Sequence, residues 1–376
     1  MLSAFRNGRL LTESGVEPDR TLLVRDGRID AIVGARDAAG ADRVIDLEGQ
    51  LLAPGFIDAQ VNGGGGVLFN DEPTVDTIAA IARAHRPFGT TGFLPTLISD
   101  DLDVVAQGIE AVRQAIENAI PGVLGIHIEG PFLNEKQRGV HDASKLRELD
   151  GEAAKLLARP HGGVTMVTLA PERTTPRFIR QLSDAGVIVS AGHTNATYDE
   201  LQPALAAGLR GFTHLFNAMS QLGNREPGAV GAALAHESSW CGLIVDGHHV
   251  HPEVVKLALR AKRHDRFMLV SDAMPSVGAS MKSFVLNGRP ITVTEDKLLD
   301  ENGRLAGADL DMARAVRNAV SMLGLPLDDA LRMASENPAD FLALRDVGRI
   351  APGQRANLVL LDADCRVLKT WIDGKE

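Results

Sequence analysis

Four short apolar runs in this chain each end in a side chain that can bind a metal or move a proton. His127-Ile128-Glu129 closes its run with a carboxylate, and Phe267-Met268-Leu269-Val270-Ser271-Asp272 closes with another. Between them, Ile188-Val189-Ser190-Ala191-Gly192-His193 and Gly211-Phe212-Thr213-His214 deliver imidazoles. One glutamate and two histidines are the donor set of a catalytic metal site, with three protein ligands and one open position. Such an ion lowers the pKa of its bound water to roughly 7, so the implied chemistry is hydrolysis by activated water. The bland reading of any one of these residues is a buried polar group bonded to a neighbouring loop. Glu129, His193 and His214 at three strand ends favour one shared site. Asp272 would take the proton of that water and pass it to a leaving amine, a role typically worth ~10²–10⁴-fold. Its alternative is a carboxylate that orients a ligand histidine.

Further candidates surround this set. The first run ends in Gln60-Val61-Asn62, and amide oxygens are poor zinc ligands beside imidazole or carboxylate. These two residues are read as lining the cavity where a second metal would sit, which leaves one divalent ion per chain. Zinc is the first choice, with iron(II) or cobalt equally suited to the donors. The glycines of Asn62-Gly63-Gly64-Gly65-Gly66 lack the lysine and spacing of a phosphate loop, so they read as flexible backbone near the site. Arg225, in the loop after His214, and His249, in Asp246-Gly247-His248-His249, could clamp a phosphate; arginine supplies a planar fork for its oxygens. His141, in Arg138-Gly139-Val140-His141, could polarise a scissile carbonyl.

The elements that must position these residues follow from periodicity. Eight apolar runs end near Gln60, Thr96, Glu129, Ala170, His193, His214, Asp246 and Asp272. Helical spacing recurs between them, over Val75–His85, Leu102–Asn118, Thr175–Ala185, Tyr198–Ala207 and Pro252–Lys262. Buried strands alternating with helices predict a parallel sheet, and eight of them predict an α/β (β/α)8 barrel with its site at the C-terminal strand ends. Residues 1–52 and 344–376 read as strands and turns, including an Asp26-Gly27 hairpin signal, and predict one small β-sandwich-like domain built from both termini. The barrel then spans 53–343. Val277–Ala308 is an excursion that suits either a hairpin insertion or an active-site cover. Helices over about Leu310–Leu323 and Leu327–Ala334 lead back to the β-domain.

With 376 residues, 44% of them hydrophobic, the chain can bury a large core. A net charge of −10 argues against nucleic acid or an anionic membrane as partner. No apolar run approaches the ~18 residues of a membrane span, and Cys241 and Cys365 show no metal or redox spacing. A cytoplasmic enzyme is the expectation.

The motifs together are more specific than any one of them. Pro54-Gly55-Phe56-Ile57-Asp58, His127-Ile128-Glu129-Gly130-Pro131-Phe132, Gly192-His193-Thr194, Thr213-His214-Leu215-Phe216-Asn217-Ala218-Met219, Arg225-Glu226-Pro227-Gly228, Asp246-Gly247-His248-His249, Ser271-Asp272-Ala273 and Leu305-Ala306-Gly307 occur in order along nearly the whole chain. In this the chain resembles the N-acetylglucosamine-6-phosphate deacetylases of the amidohydrolase superfamily. The resemblance implies metal ligation by Glu129, His193 and His214, acid–base catalysis by Asp272 and carbonyl polarisation by His141. It implies substrate contacts from Val140, His141, Asn217, Ala218, Arg225, His249, Leu305, Ala306 and Gly307. It further implies a homodimer in which Arg225 can serve the neighbouring site, acting on a phosphorylated N-acetyl amino sugar in amino-sugar catabolism. Some members carry two histidines where this chain has Gln60 and Asn62, and aspartate is commoner than Asn357. Another amidohydrolase, such as a cyclic amidase, and a non-catalytic barrel are the rival readings. Arg225 with His249 speaks against the first, and the complete set of ligands against the second.

Overall fold

The computed structural model describes residues 1–35 and 40–376. At its centre eight parallel strands run in chain order around a barrel: β1 (Phe56–Val61), β2 (Thr90–Ile98), β3 (Gly125–Glu129), β4 (Val164–Leu169), β5 (Ile188–Ala191), β6 (Gly211–Phe212), β7 (Trp240–Leu243) and β8 (Phe267–Leu269). All nine residues of β2 are buried, as expected of a strand covered on both faces. The seam between β8 and β1 is closed just past the strand ends. Val61 bridges Ala273, and Asn62 N–H donates to the Ala273 carbonyl at 2.9 Å. Below that, the buried Asp58 carboxylate accepts from Ser271 N–H at 3.2 Å and from the Ser271 hydroxyl.

The helices between the strands follow their capping signals. Val75–His85 starts at Thr74, whose hydroxyl accepts from Thr77 N–H, and buries Ile78 and Ile81. Tyr198–Ala206 starts with a Thr197–Glu200 capping box. Leu102–Glu117, Pro176–Asp184, Pro252–Ala261, Met312–Ser321 and Leu327–Ala334 lie where the apolar spacing puts them, within a residue or two at the ends. Helices at Gly151–Leu157, Gly228–Ala235 and Glu336–Phe341 were not expected from sequence. The first and last are too short to show a period. Gly228–Ala235 is built mostly from buried small residues and has no polar face to alternate with.

Strands from both ends of the chain share one seven-stranded sheet. Leu51–Pro54 lies at its middle, parallel to Leu2–Thr12 on one side and antiparallel to Leu358–Leu361 on the other. Gly15–Arg25 and Arg28–Gly34 join through Asp26-Gly27, with φ of 50° and 82°, the left-handed pair that a tight hairpin requires. Phe5 and Trp371 meet edge to face at 5.2 Å in its core.

The excursion after β8 is a three-stranded antiparallel sheet, Ser283–Leu286, Arg289–Thr294 and Lys297–Asp300. Leu286, Ile291 and Leu298 pack against Leu68, Ile98 and Met274 of the barrel. Asn287 Nδ2 donates to the Val140 carbonyl at 3.1 Å. The segment is therefore a hairpin insertion and, through Leu286, a wall of the central cavity.

Candidate active site

Glu129 is the last residue of β3, whereas His193 and His214 lie two residues beyond β5 and β6. Both histidines, and Asp272 beyond β8, have positive φ: 49°, 33° and 51°. A non-glycine residue pays for that backbone, and such outliers gather where a side chain must be aimed. Here the aim converges. His214 Nε2 stands 3.0 Å from Glu129 Oε1 and 3.0 Å from His193 Nε2, and His193 Nε2 is 3.3 Å from the same carboxylate oxygen. That spacing is within a few tenths of an ångström of what three donors at about 2.0–2.2 Å from one ion require. The tautomer of His193 fits as well. Its Nδ1–H donates to the Gln137 carbonyl at 2.8 Å, so the neutral ring turns an Nε2 lone pair to the centre. Burial opposes charge on Glu129, yet its close contacts with His193 and His214 hold its carboxyl well below the usual range.

Asp272 stands beside this cradle. Its Oδ1 accepts from Asn62 Nδ2 at 2.7 Å and from Gln60 Nε2 at 3.2 Å. Burial, with the Glu129 charge adding to it, raises its carboxyl to about 6, close to the pH at which a proton carrier works best. His141 completes the group. Its Nδ1 accepts from Ser99 N–H at 3.2 Å, and an amide can only donate, so the neutral ring carries its proton on Nε2. Burial pushes His141 down to about 3, which keeps it neutral and able to donate that one proton in a hydrogen bond.

A cavity of about 580 Å³ opens over these residues, lined among others by Asn62, Glu129, Val140, His141, His193, His214, Asn217, Ala218, His249, Asp272, Leu305 and Gly307. His249 is held by Asp246, which accepts from its Nδ1 at 2.6 Å; against the upward push of burial, the His249 contacts bring Asp246 down to about 2. Three expected residues are not brought to this wall. Arg225 is exposed on its loop, and Ala306 is buried in the core of the insertion. Gln60 is the third, and here the reading changes: it is 1% exposed and sits behind the cavity, donating to Glu129 Oε1 at 3.0 Å as well as to Asp272. Its side chain is long enough to reach between two carboxylates, which strand alternation alone does not reveal.

Several contributors carried no sequence signal that was used. Lys136, Arg138 and Arg304 bring positive charge to the cavity wall. Arg138 also donates to the His141 carbonyl at 3.0 Å. Glu172, just after β4, accepts from Thr194 Oγ1 at 2.6 Å, Asn195 N–H at 2.6 Å and Asn134 Nδ2 at 2.9 Å. It thereby ties down the loops on either side of His193. A carboxylate directly after the strand-end Ala170-Pro171 is the signal by which the sequence could have revealed it.

Comparison with known proteins agrees with this geometry. The model of the amidohydrolase family matches residues 51–376. An N-acetylgalactosamine-6-phosphate deacetylase of Shewanella sp. strain ANA-3 is 43% identical over 372 residues, 98% of this chain and 94% of the relative. The crystal structure of N-acetylglucosamine-6-phosphate deacetylase from Pasteurella multocida superposes with a TM-score of 0.96 at 36% identity, covering 100% of this chain and 99% of that one. A Mycobacterium smegmatis N-acetyl-D-glucosamine-6-phosphate deacetylase mutant, solved with N-acetyl-D-glucosamine-6-phosphate, gives 0.91 at 32% identity, covering 100% and 98%. The barrel, the carboxylate and imidazoles at its strand ends and these full-length matches lead to one conclusion: the chain belongs to the amidohydrolase family.

Proposed function

We propose that this enzyme hydrolyses the acetamido group of N-acetylglucosamine 6-phosphate, releasing acetate and glucosamine 6-phosphate. The observation that carries the reading is the convergence of Glu129, His193, His214 and Asp272 on one cavity. Glu129, His193 and His214 would hold one divalent ion per chain, zinc by preference, which when bound supplies a water reactive near neutral pH. His141 Nε2–H donates a hydrogen bond to the amide oxygen as negative charge grows there. Asp272 takes a proton from the attacking water and delivers it to the nitrogen as the C–N bond breaks. His249 holds the phosphate from within the chain, and Arg225, exposed and outside the wall, reaches the phosphate of a second copy in a homodimer. The two free cysteines, both buried, suit a cytoplasmic enzyme of amino-sugar catabolism. Among the described residues no helix is long and apolar enough to cross a membrane.

The name of the Shewanella relative favours a second reading, in which the galacto epimer is the preferred sugar. Acetate release from N-acetylglucosamine and N-acetylgalactosamine, each with and without the 6-phosphate, separates the two. Activity on neither phosphorylated sugar would overturn the proposal. Elemental analysis should find about one tightly held transition metal per chain, because Gln60 and Asn62 are poor ligands for a second. Two equivalents, both needed for turnover, would contradict that count.

A further inference from the structure

The buried amide of Gln60 is placed between the two carboxylates that matter most in this cavity. Its nitrogen lies 3.0 Å from Glu129 Oε1 and 3.2 Å from Asp272 Oδ1. A flipped amide would set its oxygen against two carboxylate oxygens, so the orientation is fixed by its neighbours. An NH₂ group has two hydrogens and no lone pair to offer, and each goes to one acid. Asn62 Nδ2 adds a second donor to the same Asp272 oxygen, at 2.7 Å. Oδ1 of Asp272 thus accepts twice and has no lone pair left for a proton. Glu129 Oε1, facing both imidazoles, spends one lone pair on Gln60 and keeps the other for the cradle.

We propose that Gln60 is a positioning residue that couples the metal cradle to the proton carrier. It orients Glu129 so that Oε1 faces the histidines, and with Asn62 it directs every proton on Asp272 to Oδ2. The proton taken from the attacking water and returned to the amine therefore travels on Oδ2 alone. This rests on the deacetylase reading, which makes Asp272 the proton carrier.

The test uses Gln60→Met, which keeps the length of the side chain and removes both donors. Metal affinity, read without substrate by competition with a chelator, should fall roughly 10- to 100-fold, the usual cost of losing a partner that orients a ligand. At saturating metal, kcat should fall by a similar factor while KM stays near that of the parent. In an Asp272→Asn background the same change should lower kcat by less than about twofold, since the two act as one unit. Asn62→Ala, which touches Asp272 but not Glu129, should lower kcat and leave metal affinity unchanged. It reads the Asp272 arm independently should Gln60→Met fail to fold. Unchanged metal affinity in Gln60→Met, a loss confined to KM, or full additivity with Asp272→Asn would each overturn the proposal while the parent still deacetylates. A parent inactive on both sugar phosphates would overturn the function, and this proposal with it.

Discussion

The role proposed for Asp272 depends on a balance that single residues set. Burial pushes its carboxyl up to about 6, while the amides of Asn62 and Gln60 favour the charged form and keep it from rising further. A proton carrier with that affinity is poised between accepting and donating. Asp272→Asn removes the exchangeable acid but keeps the shape, so kcat should drop at least about 10²-fold with KM little changed. A variant that mainly raised KM would show the residue to be a binding group instead. Glu129, His193, His214 and Asp272 were legible in the sequence because each follows an apolar run, and a barrel turns its strand ends inward. The part played by Gln60 was not legible. Its type excluded it as a ligand, and only the register between β1, β3 and β8 brings its amide between two acids.

At the scale of elements, the helix Val75–His85 anchors the glycine loop beneath the cavity through its last residue. His85 Nε2–H donates to the Gly63 carbonyl at 2.9 Å, and complete burial pushes this histidine down to about 4. The unfolded chain binds its proton near pH 6.5 and the folded chain near 4. The stability it contributes is therefore fully present above about 6.5 and lost as pH falls towards 4, on the order of 3 kcal/mol at roughly 1.4 kcal/mol per unit. His85→Gln keeps a donor for Gly63 but cannot titrate. The fall in Tm between pH 7.5 and pH 5 should be smaller in that variant than in the parent, and parallel curves would rule the mechanism out. Of these elements, those with a polar face and a cap were readable from spacing alone. Gly228–Ala235, buried nearly all round, has no periodic contrast to read, and β6 reduces to Gly211–Phe212 because the backbone turns left-handed at His214. The insertion after β8 makes its first hairpin turn at Asn287-Gly288, both with positive φ, but which surface it covers depends on long-range packing.

For the whole molecule, a net charge of −10 gives an anionic sugar no long-range attraction, so recognition has to be local. If Arg225 serves the cavity of a second copy, two defective chains should repair each other. Arg225→Ala alone should lose roughly 10- to 150-fold in kcat/KM for the phosphorylated sugar, as one charge-assisted hydrogen bond of about 1.5–3 kcal/mol implies. Mixed with Asp272→Asn and allowed to exchange, hybrid dimers should hold one site with both residues intact, restoring about a quarter of the parental activity. No gain on mixing, with exchange verified by light scattering or tag pull-down, would place Arg225 in service of its own chain.

The seven-stranded sheet also has a consequence in time. Its middle strand, Leu51–Pro54, leaves the ribosome about 300 residues before its antiparallel partner Leu358–Leu361. At ~5–20 residues per second that is on the order of 15–60 s during which one edge of an apolar strand waits uncovered. The barrel in between can be synthesised first, but the sheet cannot be completed until synthesis is nearly over. Nascent chains stalled before Leu358 should therefore be more prone to aggregate and to bind chaperones than the released protein.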